Sequence, residues 1–172
     1  MTNYFDFFNL PVSPRVDQAQ LKKTFYANSR RFHPDFHTLA DGQTQDDSLE
    51  QSTLNNKGYK VLKDDDQRLR HLLELHDALG EEGSNKMPQA FLMEMMDLNE
   101  TLMELRTGGD PALRGKVDAM INDLEGHLRS EVHELLHTYD DATATPEQLA
   151  KLKDYYLKRR YLRRLREQTP EV

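Results

Sequence analysis

The amino-acid sequence predicts an all-α protein made of two helical units, and three observations support this prediction. Apolar residues recur every three or four positions along most of the chain, which is the period of a helix face. Helix-breaking residues are concentrated between Gly80 and Pro88, which places the boundary between the two units there. Capping signals divide each unit into a few helices, and no sheet is expected.

The first unit is predicted to contain a short helix followed by a helical hairpin. An aromatic segment forms the short helix, which Pro11 ends. The next helix begins after Asp17, a typical N-cap residue, and Pro34 stops it. A polar loop from Phe36 to about Asp47 then leads into one long helix. The apolar residues of that helix are Tyr59, Leu62, Leu69, Leu72, Leu73 and Leu75.

The second unit is predicted to be a bundle of three helices. These helices are expected to span about 89–106, 111–139 and 146–168. Thr145 and Gln148 have the spacing of a capping box in front of the last of them. Because the connections between these helices are short, neighbouring helices should run antiparallel and form a bundle.

The composition excludes several classes of function. The chain of 172 residues contains no cysteine, so it cannot form a disulfide, a thiolate zinc site or a cysteine-held iron–sulfur cluster. No segment approaches the roughly 18 uninterrupted apolar residues of a membrane span, and the N-terminus lacks a signal-peptide pattern. A cytoplasmic protein without membrane contact is therefore expected. The net charge of −7 argues against general nucleic-acid binding, and no cofactor or metal is expected.

The motif His33-Pro34-Asp35 follows the second helix of the first unit. Proline blocks continuation of the helix, so the histidine and the aspartate should project from a loop. On a helical wheel, a basic flank lies beside the apolar face of the preceding helix. The residues of this flank are Lys22, Lys23 and Arg30. Alone, the motif also fits an ordinary helix terminator, and the flank also fits a solvated helix face.

In its context, the motif resembles that of a J domain over residues 1–76. The context consists of the aromatic opening 3–11 and the segment 56–62 in the third helix. The resemblance implies that the His33-Pro34-Asp35 loop and the basic flank bind a DnaK-type chaperone and trigger its ATP hydrolysis, so the chain itself is not an enzyme. The sequence departs from the J-domain pattern at Asn28, where an apolar core residue is usual.

The helix that begins near Phe91 carries two apolar stripes. The stripe expected to form the core consists of Phe91, Met95, Leu98, Leu102 and Leu105. Roughly 110° away lies a second stripe, made of Leu92, Met96 and Met103. Beyond it is a largely acidic face of Met93, Asp97, Glu100 and Glu104. The second stripe either packs against another helix or forms an exposed apolar strip with an acidic rim, as protein-binding surfaces do.

The segment 91–94, Phe-Leu-Met-Glu, placed after a J domain, resembles the HscB-type co-chaperones, and the similarity extends over the whole chain. This resemblance implies that the helix binds an IscU-type scaffold protein of iron–sulfur cluster assembly. The matching positions are Leu92, Met93, Met96, Asp97, Glu100, Glu104 and Tyr161. It also implies a J domain over 1–76, a linker over 77–88 and a three-helix scaffold-binding domain over 89–172.

On this interpretation the chain delivers the scaffold protein to a DnaK- or HscA-type chaperone and stimulates the ATPase of that chaperone. The main alternative is a general J-domain co-chaperone with a different client. A remote alternative is a zinc metallopeptidase, because His133-Glu134-Leu135-Leu136-His137 has the spacing of two zinc-binding histidines and a general base. The basic stretch 158–166 of the last helix raises nucleic-acid binding as a further class, but a solvated helix face explains it better.

Overall fold

The computed structural model describes residues 1–36, 41–81 and 83–171, and these residues form helices without any strand. The predicted all-α class is confirmed. The α-helices are α1 (Tyr4–Phe7), α2 (Gln18–Arg31), α3 (Gly42–Lys63), α4 (Asp65–Leu75), α5 (Gln89–Glu94), α6 (Met96–Arg106), α7 (Leu113–Thr138) and α8 (Pro146–Glu167). Short 3₁₀ segments span Pro34–Phe36 and Asp141–Thr143.

The chain divides into two compact units. Unit 1 contains residues 1–76 and 136–144, and unit 2 contains residues 77–135 and 145–172. Local periodicity could not assign 136–144 to unit 1, because this assignment depends on contacts with residues distant in sequence. The predicted division into a J domain, a linker and a scaffold-binding domain stays a prediction.

Unit 1 is organised around the hairpin of α2 and α3. The predicted N-cap Asp17 is confirmed, since its carboxylate accepts hydrogen bonds from the backbone N–H groups of Ala19 and Gln20 in α2. The ring of Phe25 stacks on that of Tyr59 across the hairpin, with centroids 4.1 Å apart. Helix α1 packs on α3 at Gly58, where an added Cβ would lie only 2.8 Å from the ring of Phe8. Only glycine fits this position without displacing α1.

The predicted single long helix is wrong at one point, since the chain breaks at Asp64 into α3 and α4. Asp64 is extended and caps α4 by accepting a hydrogen bond from the backbone N–H of Gln67 (2.9 Å). The break leaves the carbonyl of Leu62 free to accept a hydrogen bond from the buried guanidinium of Arg68 (2.6 Å). Arg68 also donates to the carbonyl of Pro14 (2.9 Å). The buried guanidinium of Arg68 therefore stabilises both the bend at Asp64 and the loop before α2 that contains Pro14.

The predicted loop between α2 and α3 is shorter than expected, because α3 already begins at Gly42. Asp41 caps this helix by accepting a hydrogen bond from the backbone N–H of Thr44 (2.8 Å). The same contact lowers the pKa of the Asp41 carboxyl below its ordinary value. Positions 37–40 of the predicted loop lie outside the described residues.

Asn28 is half-buried in the hairpin, where it has a polar partner on α3. Its side-chain amide donates to the Oδ1 of Asn55 (3.2 Å), which is fully buried. The amide of Asn55 donates in turn to the carbonyl of Phe25 (3.1 Å) and the hydroxyl of Ser29 (3.2 Å). A polar network of this kind makes one alignment of the packed helices preferable to others. It therefore helps to fix the register of α2, which ends at the His33-Pro34-Asp35 motif.

His71 is buried in the core of unit 1 and its position requires the neutral imidazole. Its Nε2 accepts a hydrogen bond from the backbone N–H of Tyr4 (3.1 Å), and its ring stacks on that of Phe5. A protonated ring would place two donors against each other at this contact. Burial lowers the pKa of His71, partly opposed by the carboxylate of Glu74.

We expect unit 1 to lose stability as the pH falls below about 6.5, because the unfolded chain then binds a proton that folded His71 does not. The contribution of one such group is limited to about 1.4 kcal/mol per pH unit. Denaturant unfolding at several pH values, compared between the wild type and His71→Gln, measures it. Glutamine retains an acceptor near the position of Nε2 but does not titrate, so its curve should be flatter in this range. Parallel curves for the two proteins would contradict the prediction.

Residues 136–144 of unit 1 are held at the end of α4 by a polar cluster. The carboxylate of Asp141 lies 2.6 Å from the Nε2 of His76 and accepts a hydrogen bond from the hydroxyl of Tyr139 (2.8 Å). Burial and this carboxylate raise the pKa of Tyr139 above its ordinary value. The phenol therefore stays protonated and keeps donating to Asp141 over the physiological range.

Unit 2 contains the predicted three bundle helices, but the first of them is divided at Met95 into α5 and α6. The predicted core stripe of this helix is buried throughout. Gly108 ends α6 with a φ of +91°, a conformation that favours glycine. The capping box of Thr145 and Gln148 in front of α8 is confirmed. Arg166 of α8 donates to the side chain of Asn122 on α7 (2.8 Å), joining these two helices.

Candidate protein-binding surfaces

The His33-Pro34-Asp35 loop is exposed at the end of α2. The backbone N–H of Asp35 donates to the Nδ1 of His33 (3.2 Å), and the Asp35 carboxylate lies 3.5 Å from the same nitrogen. The 3₁₀ turn that begins at Pro34 thus keeps the two polar side chains together while both face solvent. A pair of this kind can contact a partner without any rearrangement of the chain.

The basic flank is also accessible. Lys22, Lys23 and Arg30 are exposed on α2, while the opposite face of the helix buries Leu21 and stacks Phe25 against α3. The flank extends along α2 for about 12 Å, at about 1.5 Å per residue. Unit 1 therefore presents a positive stripe that ends at the loop.

The second apolar stripe of the α5–α6 helices is exposed, which answers the question left open by the sequence. The exposed fractions are 43% for Leu92, 54% for Met96 and 68% for Met103. Met93, beside this stripe, is 63% exposed. We call these four side chains the apolar strip. A contiguous group of exposed apolar side chains often marks a site where another protein binds. The apolar strip is therefore a candidate protein-binding site.

Carboxylates border the apolar strip on one side. Asp97, Glu100 and Glu104 are all exposed, and among the described residues none of them forms an ion pair. Their charge is therefore available to attract a basic surface on a partner.

Tyr161 of α8 lies against the helix that carries the strip. Its hydroxyl accepts a hydrogen bond from the side-chain amide of Asn99 (3.1 Å), and its ring meets that of Phe91 edge to face at 5.6 Å. Sequence reasoning missed Asn99, which also donates to the carbonyl of Met95 (3.0 Å). The signal was present, because Asn99 is a polar residue that falls between the two apolar stripes on the helical wheel. Asn99 therefore holds Tyr161 beside the strip.

Two other motifs, the zinc-site spacing at 133–137 and the basic stretch of α8, were alternatives in the sequence. His133, Glu134 and His137 lie exposed on α7, and the part of the chain that the structure describes holds no group of three or more side chains suited to a metal ion. On the basic helix α8, Lys158 pairs with Asp154 (2.8 Å) and Arg166 with Glu125 (3.2 Å). The expectation that the chain does not bind nucleic acid stays a prediction. Within residues 1–36, 41–81 and 83–171, no helix is both long and apolar enough to cross a membrane.

Comparison with known proteins agrees with this geometry. Residues 87–169 match the family described as the HSCB C-terminal oligomerisation domain. Among curated proteins, the co-chaperone HscB homologue of Shewanella amazonensis is 30% identical over 155 residues, covering 88% of this chain and 89% of that protein. The homologue of Pseudoalteromonas atlantica is 35% identical over 143 residues, covering 81% of each chain.

Two solved structures are similar over nearly the whole chain. Human co-chaperone HscB superposes with a TM-score of 0.77 at 26% identity, covering 97% of this chain and 80% of that one. The chaperone HscB of Vibrio cholerae superposes with a TM-score of 0.64 at 28% identity, covering 98% of this chain and 100% of that one. The protein described above therefore belongs to the HscB family of co-chaperones.

Proposed function

We propose that this co-chaperone binds an IscU-type scaffold protein and delivers it to a DnaK- or HscA-type chaperone, whose ATPase it stimulates to promote iron–sulfur cluster assembly or transfer. The observation that carries the proposal is the exposed apolar strip with its acidic border on α5 and α6. Membership of the HscB family supports the co-chaperone part of this role. Co-chaperones are not themselves enzymes, and hydrolysis belongs to the partner.

The chaperone side of the proposal uses unit 1. Asp35 supplies a carboxylate for a cation of the chaperone, and His33 supplies an adjacent hydrogen-bonding ring. The basic flank of Lys22, Lys23 and Arg30 then faces an acidic groove of the same partner. Charge complementarity of this kind increases the rate of encounter and fixes the orientation of the loop more than it adds affinity.

The scaffold side of the proposal uses unit 2. Leu92, Met93 and Met96 provide an apolar centre whose flexible thioether chains adapt to the partner surface. Tyr161, held by Asn99, provides a fixed aromatic edge. The carboxylates of Asp97, Glu100 and Glu104 favour a scaffold with basic residues around its apolar contact.

The proposal assigns the two activities to separate parts of the chain: a J domain over 1–76 and a scaffold-binding domain over 89–172, joined by a linker over 77–88. Both partners are expected in the cytoplasm. A general J-domain co-chaperone with another client would share the first activity and lack the second.

The test is reconstitution of the three purified components. We expect the chain to accelerate ATP hydrolysis by the chaperone, and the scaffold protein to raise the rate further, because the chain presents the scaffold to the activated chaperone. Calorimetric titration of the chain with the scaffold should show saturable binding. Acceleration without scaffold binding would favour the general co-chaperone, and no acceleration would exclude both forms of the proposal.

A further inference from the structure

A cleft of about 240 Å³ opens between α7 and α8 in unit 2. It shares no residue with the apolar strip, with Tyr161 or with the His33-Pro34-Asp35 loop, so the proposed function gives it no role. Its lining residues are Asn122, Glu125, Gly126, Arg129, Tyr155 and Arg159.

More guanidinium groups than carboxylates line the cleft. Two guanidinium groups, those of Arg129 and Arg159, line it together with the single carboxylate of Glu125. That carboxylate is already paired with Arg166 (3.2 Å). Arg129 is exposed and forms no ion pair with a described residue. The exposed guanidinium of Arg129 therefore gives the cleft a positive charge that attracts an anion.

A buried hydroxyl adds a donor to this positive site. Tyr155 is only 4% exposed, and its hydroxyl accepts a hydrogen bond from the guanidinium of Arg159 (3.1 Å), which also lies over its ring. The hydroxyl hydrogen itself has no acceptor among the described residues. Because buried donors normally have partners, an acceptor atom in the cleft would satisfy it.

Gly126 leaves space in the cleft because it has no side chain, but it lowers the stability of α7. Glycine in the middle of a helix is less stable than alanine. Packing does not require it here, since an added Cβ would meet no atom within 4 Å. A larger side chain at this position would instead occupy the space of the cleft.

We propose that this cleft binds a small oxyanion, a phosphate or a di- or tricarboxylate, held by Arg129, Arg159 and the hydroxyl of Tyr155. Guanidinium groups suit this chemistry, because their planar N–H donors match pairs of carboxylate or phosphate oxygens. The phenol of Tyr155 supplies a third donor.

The test is calorimetric titration of the full chain with inorganic phosphate and, separately, with citrate, at constant ionic strength. We expect saturable binding of at least one probe, and the tighter of the two identifies the class of ligand. Arg129→Gln should weaken it at least roughly tenfold, because a charged hydrogen bond is lost. Gly126→Leu should abolish binding by filling the cleft.

Gly115→Leu is the matched control, since Gly115 lies on the same helix and an added Cβ there also meets nothing within 4 Å. This variant should bind as the wild type does, and melting curves should show that all variants remain folded. Absence of saturable binding with both probes would overturn the proposal. Undiminished binding by folded Gly126→Leu would overturn it as well, because the anion would then sit elsewhere.

Discussion

Replacement of His33 by glutamine is expected to reduce stimulation of the chaperone ATPase to background. His33 and Asp35 form a compact exposed pair at the end of α2, so the variant removes the imidazole from the centre of the proposed contact. Central interface residues cost about 2 kcal/mol or more when lost, which corresponds to roughly 30-fold weaker coupling or worse. Steady-state ATP hydrolysis by the chaperone, measured against co-chaperone concentration, gives the effect.

His127→Gln provides the matched control, because it makes the same chemical change at an exposed position of α7 in unit 2. It should stimulate the ATPase as the wild type does. The His33→Gln variant should also keep its melting temperature and its scaffold binding, since neither depends on the loop. Full stimulation by the variant would refute the assigned role of His33, and simultaneous loss of scaffold binding would indicate misfolding instead.

The double variant Leu92→Ala/Met96→Ala is expected to weaken scaffold binding at least roughly tenfold, about 1.4 kcal/mol. Both side chains are exposed parts of the apolar strip, so the variant removes apolar contact area from the interface but little from the core. Exposed substitutions usually change the free energy of unfolding by about 0.5 kcal/mol or less. Stimulation of the chaperone ATPase by the variant alone should therefore persist. Calorimetric titration with the scaffold, run beside a melting curve, measures both quantities.

Met95→Ala is the control for this experiment, because Met95 is the same residue type one position before Met96 and is fully buried. Truncation of a buried methionine typically costs about 2–5 kcal/mol, so this variant should melt at a lower temperature. If the double variant instead melted early and bound normally, the strip would belong to the core and the assigned site would be wrong.

The charge of the acidic border can be tested on the same complex with the scaffold protein. Reversing the charges of Asp97, Glu100 and Glu104 to lysine should weaken scaffold binding, and the loss should shrink as salt is added, because exposed charges are screened. An effect independent of salt would mean that these side chains contribute through packing rather than charge.

Local chemistry made much of this fold predictable. The caps at Asp17 and Thr145 depend on residues within one turn of each other, and both are present. The buried stripe that begins at Phe91 follows from the helical period alone. The bend at Asp64 was not predicted. Its cap, in which Asp64 accepts from Gln67, is local, but Arg68 also stabilises it through the carbonyl of Pro14, 54 positions away in the chain.

By itself, the sequence determined the helical class, the family resemblance and the position of the His33-Pro34-Asp35 motif, since these depend on neighbouring residues. Only the tertiary structure decided that Leu92, Met96 and Met103 are exposed. A helical wheel gives the angle between two stripes but not the direction from which other helices approach. The same holds for Asn28, which is compatible with the core only because Asn55 lies across the hairpin. Whether an apolar side chain is exposed, or a polar one is satisfied, depends on neighbours brought close by folding.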